Sequence, residues 1–235
     1  MNKNSILIIG DSTSLPREEV KYICTWPYLI QKLFPTFTIE NNSLWGNTTS
    51  CLEGKNSLEW YNPEIVIIQL GIVDCAPRLL SNFERKMLSA LPGRVGKGYS
   101  IINKLFRKRS LKKAYISANQ FKKNIENFIS RAENIEVKKI FFISILDSGE
   151  KYANKNPKAQ EAIDMYNNIL INCIEKSDIC EFVKIKDINE KVDEHTLEDG
   201  FHYNDIGHGL VCLALKERIE NYIKISFSKT EEIHE

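Results

Sequence analysis

The sequence predicts an α/β domain of three layers built on a parallel five-stranded sheet, and three observations predict it. Short β-branched runs recur along the chain, helical patterns fill the gaps between them, and the central runs are apolar enough to be covered on both faces. Ser5 to Ile9 reads as a buried strand, broken by Gly10-Asp11-Ser12-Thr13-Ser14. Trp26 to Phe34 places Tyr28, Leu29, Ile30, Leu33 and Phe34 as a short amphipathic helix would, and Thr36 to Glu40 is a weaker strand. Glu64 to Leu70 and Lys138 to Leu146 are the third and fourth strands; Phe182 to Ile185 is a fifth, more polar and so nearer an edge. Helices are expected over Ala118 to Ala132, over Pro157 to Ile174 with Ala162, Met165, Ile169 and Leu170 on one face, and over Ile206 to Ile223. Strands alternating with helices imply right-handed crossovers, and ligands in such sheets bind outside the carboxyl ends of the strands.

The 235 residues, 43% of them hydrophobic and 27% charged, suit one globular domain, taken as 1–227 with a frayed tail over 228–235. A formal net charge of +1 points to no nucleic-acid or membrane partner. Six cysteines, at 24, 51, 75, 173, 180 and 212, form no Cys-x-x-Cys pair, and several lie in apolar stretches, as reduced thiols in a cytosol would. The apolar run at Ile6-Leu7-Ile8-Ile9 is too short for a signal-peptide core, and no apolar stretch reaches the length of a membrane span. A cytoplasmic location is therefore expected. Neither a metal cluster nor a glycine-rich phosphate loop is visible, so no cofactor is expected.

One segment breaks the alternation. From about 78 to 115 a long connection carries Arg85, Lys86, Arg94, Lys97, Lys104, Arg107, Lys108, Arg109, Lys112 and Lys113 against the single acid Glu84. Connections of this length are usually lids, binding loops or irregular stretches. It reads either as a solvated basic surface or as a lid that attracts an anionic substrate, with membrane or nucleic-acid contact as a further reading.

Ser12 stands two residues past Gly10 at the carboxyl end of the first strand, where a sharp turn exposes a hydroxyl. Such a hydroxyl becomes a nucleophile only beside a base, which directs attention to a histidine oriented by a carboxylate. Asp199-Gly200-Phe201-His202, just ahead of the last helix, places a carboxylate three residues before an imidazole in one tight loop. His208 falls in the first turn of that helix and reads as structural.

Ile8-Ile9-Gly10-Asp11-Ser12 and Asp199-Gly200-Phe201-His202-Tyr203-Asn204-Asp205-Ile206-Gly207 resemble the first and last blocks of the SGNH (GDSL-type) hydrolases. Asn41-Asn42-Ser43-Leu44-Trp45-Gly46-Asn47 resembles the second block, Leu70-Gly71-Ile72-Val73-Asp74 the third, and Tyr166-Asn167 falls where members often carry the same pair. The third block followed by Cys75-Ala76-Pro77-Arg78 resembles variants from bacterial surface-polysaccharide gene clusters. The resemblance implies a flavodoxin-like α/β/α sandwich and hydrolysis of esters. By position it makes Ser12 the nucleophile, His202 the general base and Asp199 its orienting acid. Ser12 and Gly46 would supply backbone N–H groups to the oxyanion hole.

One departure matters: Val73 stands where the family carries an asparagine that donates to the oxyanion, a loss that can cost about 2.7–4 kcal/mol. Either Asn47 turns its amide into the gap, or Arg78 points into the site, or ester hydrolysis is no longer efficient. Arg78 could clamp a carboxylate or phosphate with two parallel bonds, or pair with Asp74. The expected substrate is a small-molecule or glycan ester, anionic if the basic segment serves it, with an acetyl ester on a carbohydrate as the specific expectation. An acyltransferase using the same Ser/His/Asp site, and a catalytically silent glycan- or anion-binding protein, remain alternatives.

Overall fold

The computed structural model describes residues 4–54, 57–77 and 114–231. Arg78 and nearly all of the basic insertion expected over 78–115 therefore lie outside the described residues. In chain order the elements are β1 (Ser5–Gly10), α1 (Trp26–Leu33), β2 (Thr38–Asn41), α2 (Ser57–Tyr61), β3 (Ile65–Gln69), α3 (Ile72–Cys75) and α4 (Ala118–Asn134). There follow β4 (Lys139–Ile143), α5 (Glu150–Lys155), α6 (Ala159–Ile174), β5 (Cys180–Val183), α7 (Lys186–Glu190), α8 (Val192–His195) and α9 (Asp205–Glu231).

The five strands form one sheet in the order β2-β1-β3-β4-β5, every pair parallel. The expected three-layer sandwich is the observed fold. Strand periodicity explains why it is covered on both faces. Leu7, Ile9, Val66, Ile68, Ile140 and Phe142 pack with Phe121, Ile125 and Phe128 of α4 and Ile163 and Leu170 of α6. Their neighbours Ile6, Ile8, Ile65, Ile67, Phe141 and Ile143 pack with Trp26 and Ile30 of α1 and Val211, Leu215 and Ile219 of α9. The two polar strands, β2 and β5, take the edges.

Two expectations shift. In α6 the buried face is Ala159, Ile163, Tyr166, Leu170 and Cys173, while Met165 is 49% exposed. Tyr166 sets this phase: its ring packs edge-on against Phe121 at 4.9 Å and its hydroxyl donates to the Ile116 carbonyl at 2.5 Å. Adjacent helical positions differ by roughly 100°, so burying Tyr166 turns Met165 outward. The last helix continues to Glu231, past Ile223 and into the tail expected to fray, leaving only 232–235 beyond the description. Among the described residues no helix is long and apolar enough to cross a membrane.

His208, in the first turn of α9, ties that helix to α1 by accepting the Trp26 backbone N–H on Nδ1 at 3.2 Å. Burial foremost, and then the nearby His202, lower its pKa from 6.5 to about 4. The unfolded chain takes up this proton first, so the stability contributed is complete above about 6.5 and is lost as pH falls toward about 4. Urea unfolding should show wild type losing up to about 3 kcal/mol more than His208→Gln across that window. Parallel pH curves for the two proteins would contradict this.

Candidate active site

The chain leaves β1 for the β2 edge and returns to β3 on the other side, so the loops after β1 and β3 part at a topological switch point. Such points open a crevice at the carboxyl ends of the strands. Gly10 closes β1 there, and a Cβ on it would collide with the Ser14 and Ser43 hydroxyls. The tight approach lets the next residues coil at once into a 3-10 turn, Ser12–Ser14. Asp11 caps that turn, accepting from the Thr13 N–H at 2.8 Å and the Thr13 hydroxyl at 2.7 Å. Burial pushes the Asp11 pKa up to about 6 against the pull of those bonds.

The loop ahead of α9 meets this turn from the far end of the sequence. His202 Nε2 lies 2.9 Å from Ser12 Oγ, and its Nδ1 lies 2.5 Å from Asp199 Oδ2. Gly200, at φ +84°, lets the chain fold back so that Asp199 Oδ1 also accepts the backbone N–H groups of Phe201 at 3.2 Å and His202 at 3.1 Å. Burial opposes ionisation of Asp199, but the His202 and Phe201 hydrogen bonds together outweigh it and hold the carboxyl at about 2. For His202, 3% exposed, burial is the largest influence and lowers the pKa below 6.5; Asp199 opposes this and the Arg17 guanidinium adds to it. A neutral ring that donates Nδ1–H to Asp199 leaves the Nε2 lone pair facing a serine hydroxyl. This is the arrangement by which an imidazole accepts a hydroxyl proton.

The other expected residues fall around this centre. Gly46, at φ +68°, sits in a turn closed by the Asn47 N–H donating to the Leu44 carbonyl at 3.2 Å. Among the described residues neither the Ser12 nor the Gly46 backbone N–H has an acceptor. Asn47 donates its side-chain amide to the Gly10 carbonyl at 3.1 Å, tying the second block to the end of β1. Val73 is buried in α3, and Asp74 beside it accepts from the Thr49 N–H at 2.9 Å and hydroxyl at 2.5 Å. Arg78 lies outside the described residues. Among the described residues no group of three or more His, Cys, Asp or Glu side chains could hold a metal ion.

Two residues near the centre had no place in the motif reading. Gln69, the last residue of β3, accepts from Ser14 Oγ at 2.7 Å and Trp26 Nε1 at 2.8 Å and donates to Tyr203 Oη at 2.9 Å. A polar residue closing an otherwise apolar strand was the available signal. Arg17 lies against His202 with its Nη2 2.7 Å from Nδ1 and in contact with Nε2, and its guanidinium covers the Trp45 ring at 4.3 Å. Nothing in the local sequence marks that pairing.

No family model and no curated protein matches the sequence. Solved structures do match in fold. The psychrotrophic esterase EstA from Pseudoalteromonas sp. shares 17% identity at a TM-score of 0.62, over 94% of this chain and 100% of its own. A lipase/acylhydrolase from Enterococcus faecalis shares 16% at 0.64, over 93% of this chain and 96% of its own. A variant of an acetyl xylan esterase from Geobacillus stearothermophilus shares 16% at 0.61, over 92% and 94%. The chain thus has the fold of these esterases along nearly its whole length.

Replacing Gln69 with leucine leaves the Ser14 hydroxyl, the Trp26 indole N–H and the Tyr203 hydroxyl without their partner in a buried setting. Gln69→Leu should lose about 3 kcal/mol or more in chemical denaturation. A variant as stable as wild type would show that these groups find other partners.

Proposed function

We propose that this chain is a serine esterase of the SGNH type that removes an O-acyl group, acetyl in the first instance, from a carbohydrate or glycan precursor. The observation that carries the reading is the unbroken line from Ser12 Oγ to His202 Nε2 at 2.9 Å and from His202 Nδ1 to Asp199 Oδ2 at 2.5 Å. Similarity of fold to solved esterases supports the reaction class, and the acetyl xylan esterase among them supports the acetylated-sugar substrate. The variant third block supports a role in surface-polysaccharide chemistry, and the site is proposed to work in the cytoplasm without a metal or other cofactor.

In this mechanism Ser12 Oγ attacks the ester carbonyl while its proton passes to His202 Nε2. Asp199 holds the ring and stabilises the imidazolium. The negative charge that develops on the carbonyl oxygen is met by the backbone N–H groups of Ser12 and Gly46, both without another acceptor. The alcohol departs with the proton from Nε2, leaving an acyl-Ser12 ester; water, deprotonated by the same nitrogen, then releases the acid. Val73 offers no third donor. Asn47 gives one of its two amide N–H groups to Gly10, and the oxyanion hole is proposed to rest on the two backbone donors.

A fluorophosphonate probe should label wild type and not Ser12→Ala, and equal labelling of both would remove Ser12 from the mechanism. With p-nitrophenyl acetate, His202→Ala should lose about 10²–10⁴-fold in turnover. The kcat/KM profile should rise through one ionisation below 6.5, because the base must be neutral and its site favours the neutral ring. A midpoint above 6.5 would show that the Asp199 carboxylate outweighs burial at His202, and loss of the ionisation's effect in His202→Ala identifies the base. Val73→Asn should raise turnover if the third donor is limiting; an unchanged rate would show that two donors suffice.

A further inference from the structure

Arg17 follows the nucleophile turn by three residues, in a loop pinned by hydrogen bonds from its own N–H to the Val20 carbonyl at 2.9 Å and from the Val20 N–H to its carbonyl at 3.2 Å. From there its guanidinium spans the space between Trp45, next to Gly46, and the His202 ring. Among the described residues it forms no ion pair with a carboxylate, although Asp199, Glu19 and Asp11 lie near enough to favour its charge, and its Nε is buried without an acceptor. A fork of donors with a fixed backing and no anion on it is an uncommon use of arginine, whose planar geometry matches carboxylate and phosphate oxygens pairwise.

Its position conflicts with the chemistry proposed above. The Nε2 lone pair must accept the Ser12 proton, and the ring must then carry a positive charge. A guanidinium lying over the ring, close to both of its nitrogens, disfavours the imidazolium by like-charge repulsion. That obstacle goes if a negative group on the substrate draws the guanidinium off the ring. Nε2 also delivers the proton to the departing alcohol, so a cation beside it lies next to the alcohol portion of the ester and not its acyl portion. Trp45, 60% exposed, and Leu44, 63% exposed, form an apolar ledge at the same mouth, suited to the flat face of a sugar or ring.

We propose that Arg17 is a specificity-determining residue that binds an oxyanion, carboxylate or phosphate, carried by the alcohol portion of the ester, and that this engagement frees His202 to act. The inference rests on the esterase reading and narrows its substrate to anionic esters.

The test uses the matched pair 3-acetoxybenzoate and 3-acetoxybenzamide, which differ in the charge of one substituent on the alcohol portion. Wild type should favour the carboxylate in kcat/KM by about ten- to a hundredfold, as a charge-assisted bond allows. In Arg17→Ala that ratio should fall toward one, with Arg17→Lys between. A wild-type ratio of one or less, or a ratio unaltered in Arg17→Ala, overturns the proposal. A fall in kcat for both esters with the ratio preserved also overturns it, and assigns Arg17 to positioning the reacting groups. If Arg17→Ala does not fold, the ratio in Arg17→Lys decides. The underlying reading is judged separately. Turnover of both esters that persists in Ser12→Ala defeats the esterase mechanism, while the Arg17 effect stays measurable as the affinity difference between 3-hydroxybenzoate and 3-hydroxybenzamide by calorimetry.

Discussion

The carboxyl edge of the sheet is organised around one buried amide. Gln69 ends β3 in register with Gly10, and its side chain reaches three separate pieces of chain: the Ser12–Ser14 turn through Ser14, the start of α1 through Trp26, and the histidine loop through Tyr203. All four residues are nearly solvent-free. A hydrogen bond in such a setting gains modestly when made and costs heavily when absent, which makes the network a specifier of geometry more than a store of stability. Tyr203 adjoins His202, and Ser14 closes the turn that begins at Ser12. The separation of hydroxyl and imidazole is thus set by contacts one or two residues away from the pair itself.

The electrostatics run in one direction around that separation. Desolvation favours a neutral imidazole at both His202 and His208, but only His202 has a carboxylate to receive its Nδ1–H. His208 instead accepts a backbone N–H and stays a structural ring. Asp199 keeps its charge because four hydrogen-bonding and coulombic influences act against burial, whereas Asp11 and Asp74, more deeply enclosed with fewer donors, are each pushed up to about 6. Three aspartates within one small region therefore differ in character because their donor sets and burial differ.

Much of this was visible in the residues before the structure was. The β-branched runs marked all five strands, the polar fifth run marked one edge, and Gly10-Asp11-Ser12 with Asp199-x-x-His202 marked the two loops that meet. What the sequence hid had long-range causes. The phase of α6 turns on Tyr166 finding Phe121 and the Ile116 carbonyl, a choice that periodicity among similar apolar residues does not make. The short helices α5, α7 and α8 lack the length for a periodic signal. Arg17 meets Trp45 and His202, partners 28 and 185 positions away, and its local context of Leu15-Pro16-Arg17-Glu18-Glu19 suggests only a solvated turn.

The two halves of the serine–histidine–aspartate line are assembled on different scales. Asp199 and His202 are three residues apart and share a loop, so that pair can form as soon as the loop closes; Ser12 and His202 are 190 residues apart. Bringing together points so distant carries a loop-closure entropy that only a finished sheet can offset. All five strands lie between the two in sequence or just before them, so the hydroxyl and its imidazole meet only when the sheet that separates them in the chain has been built.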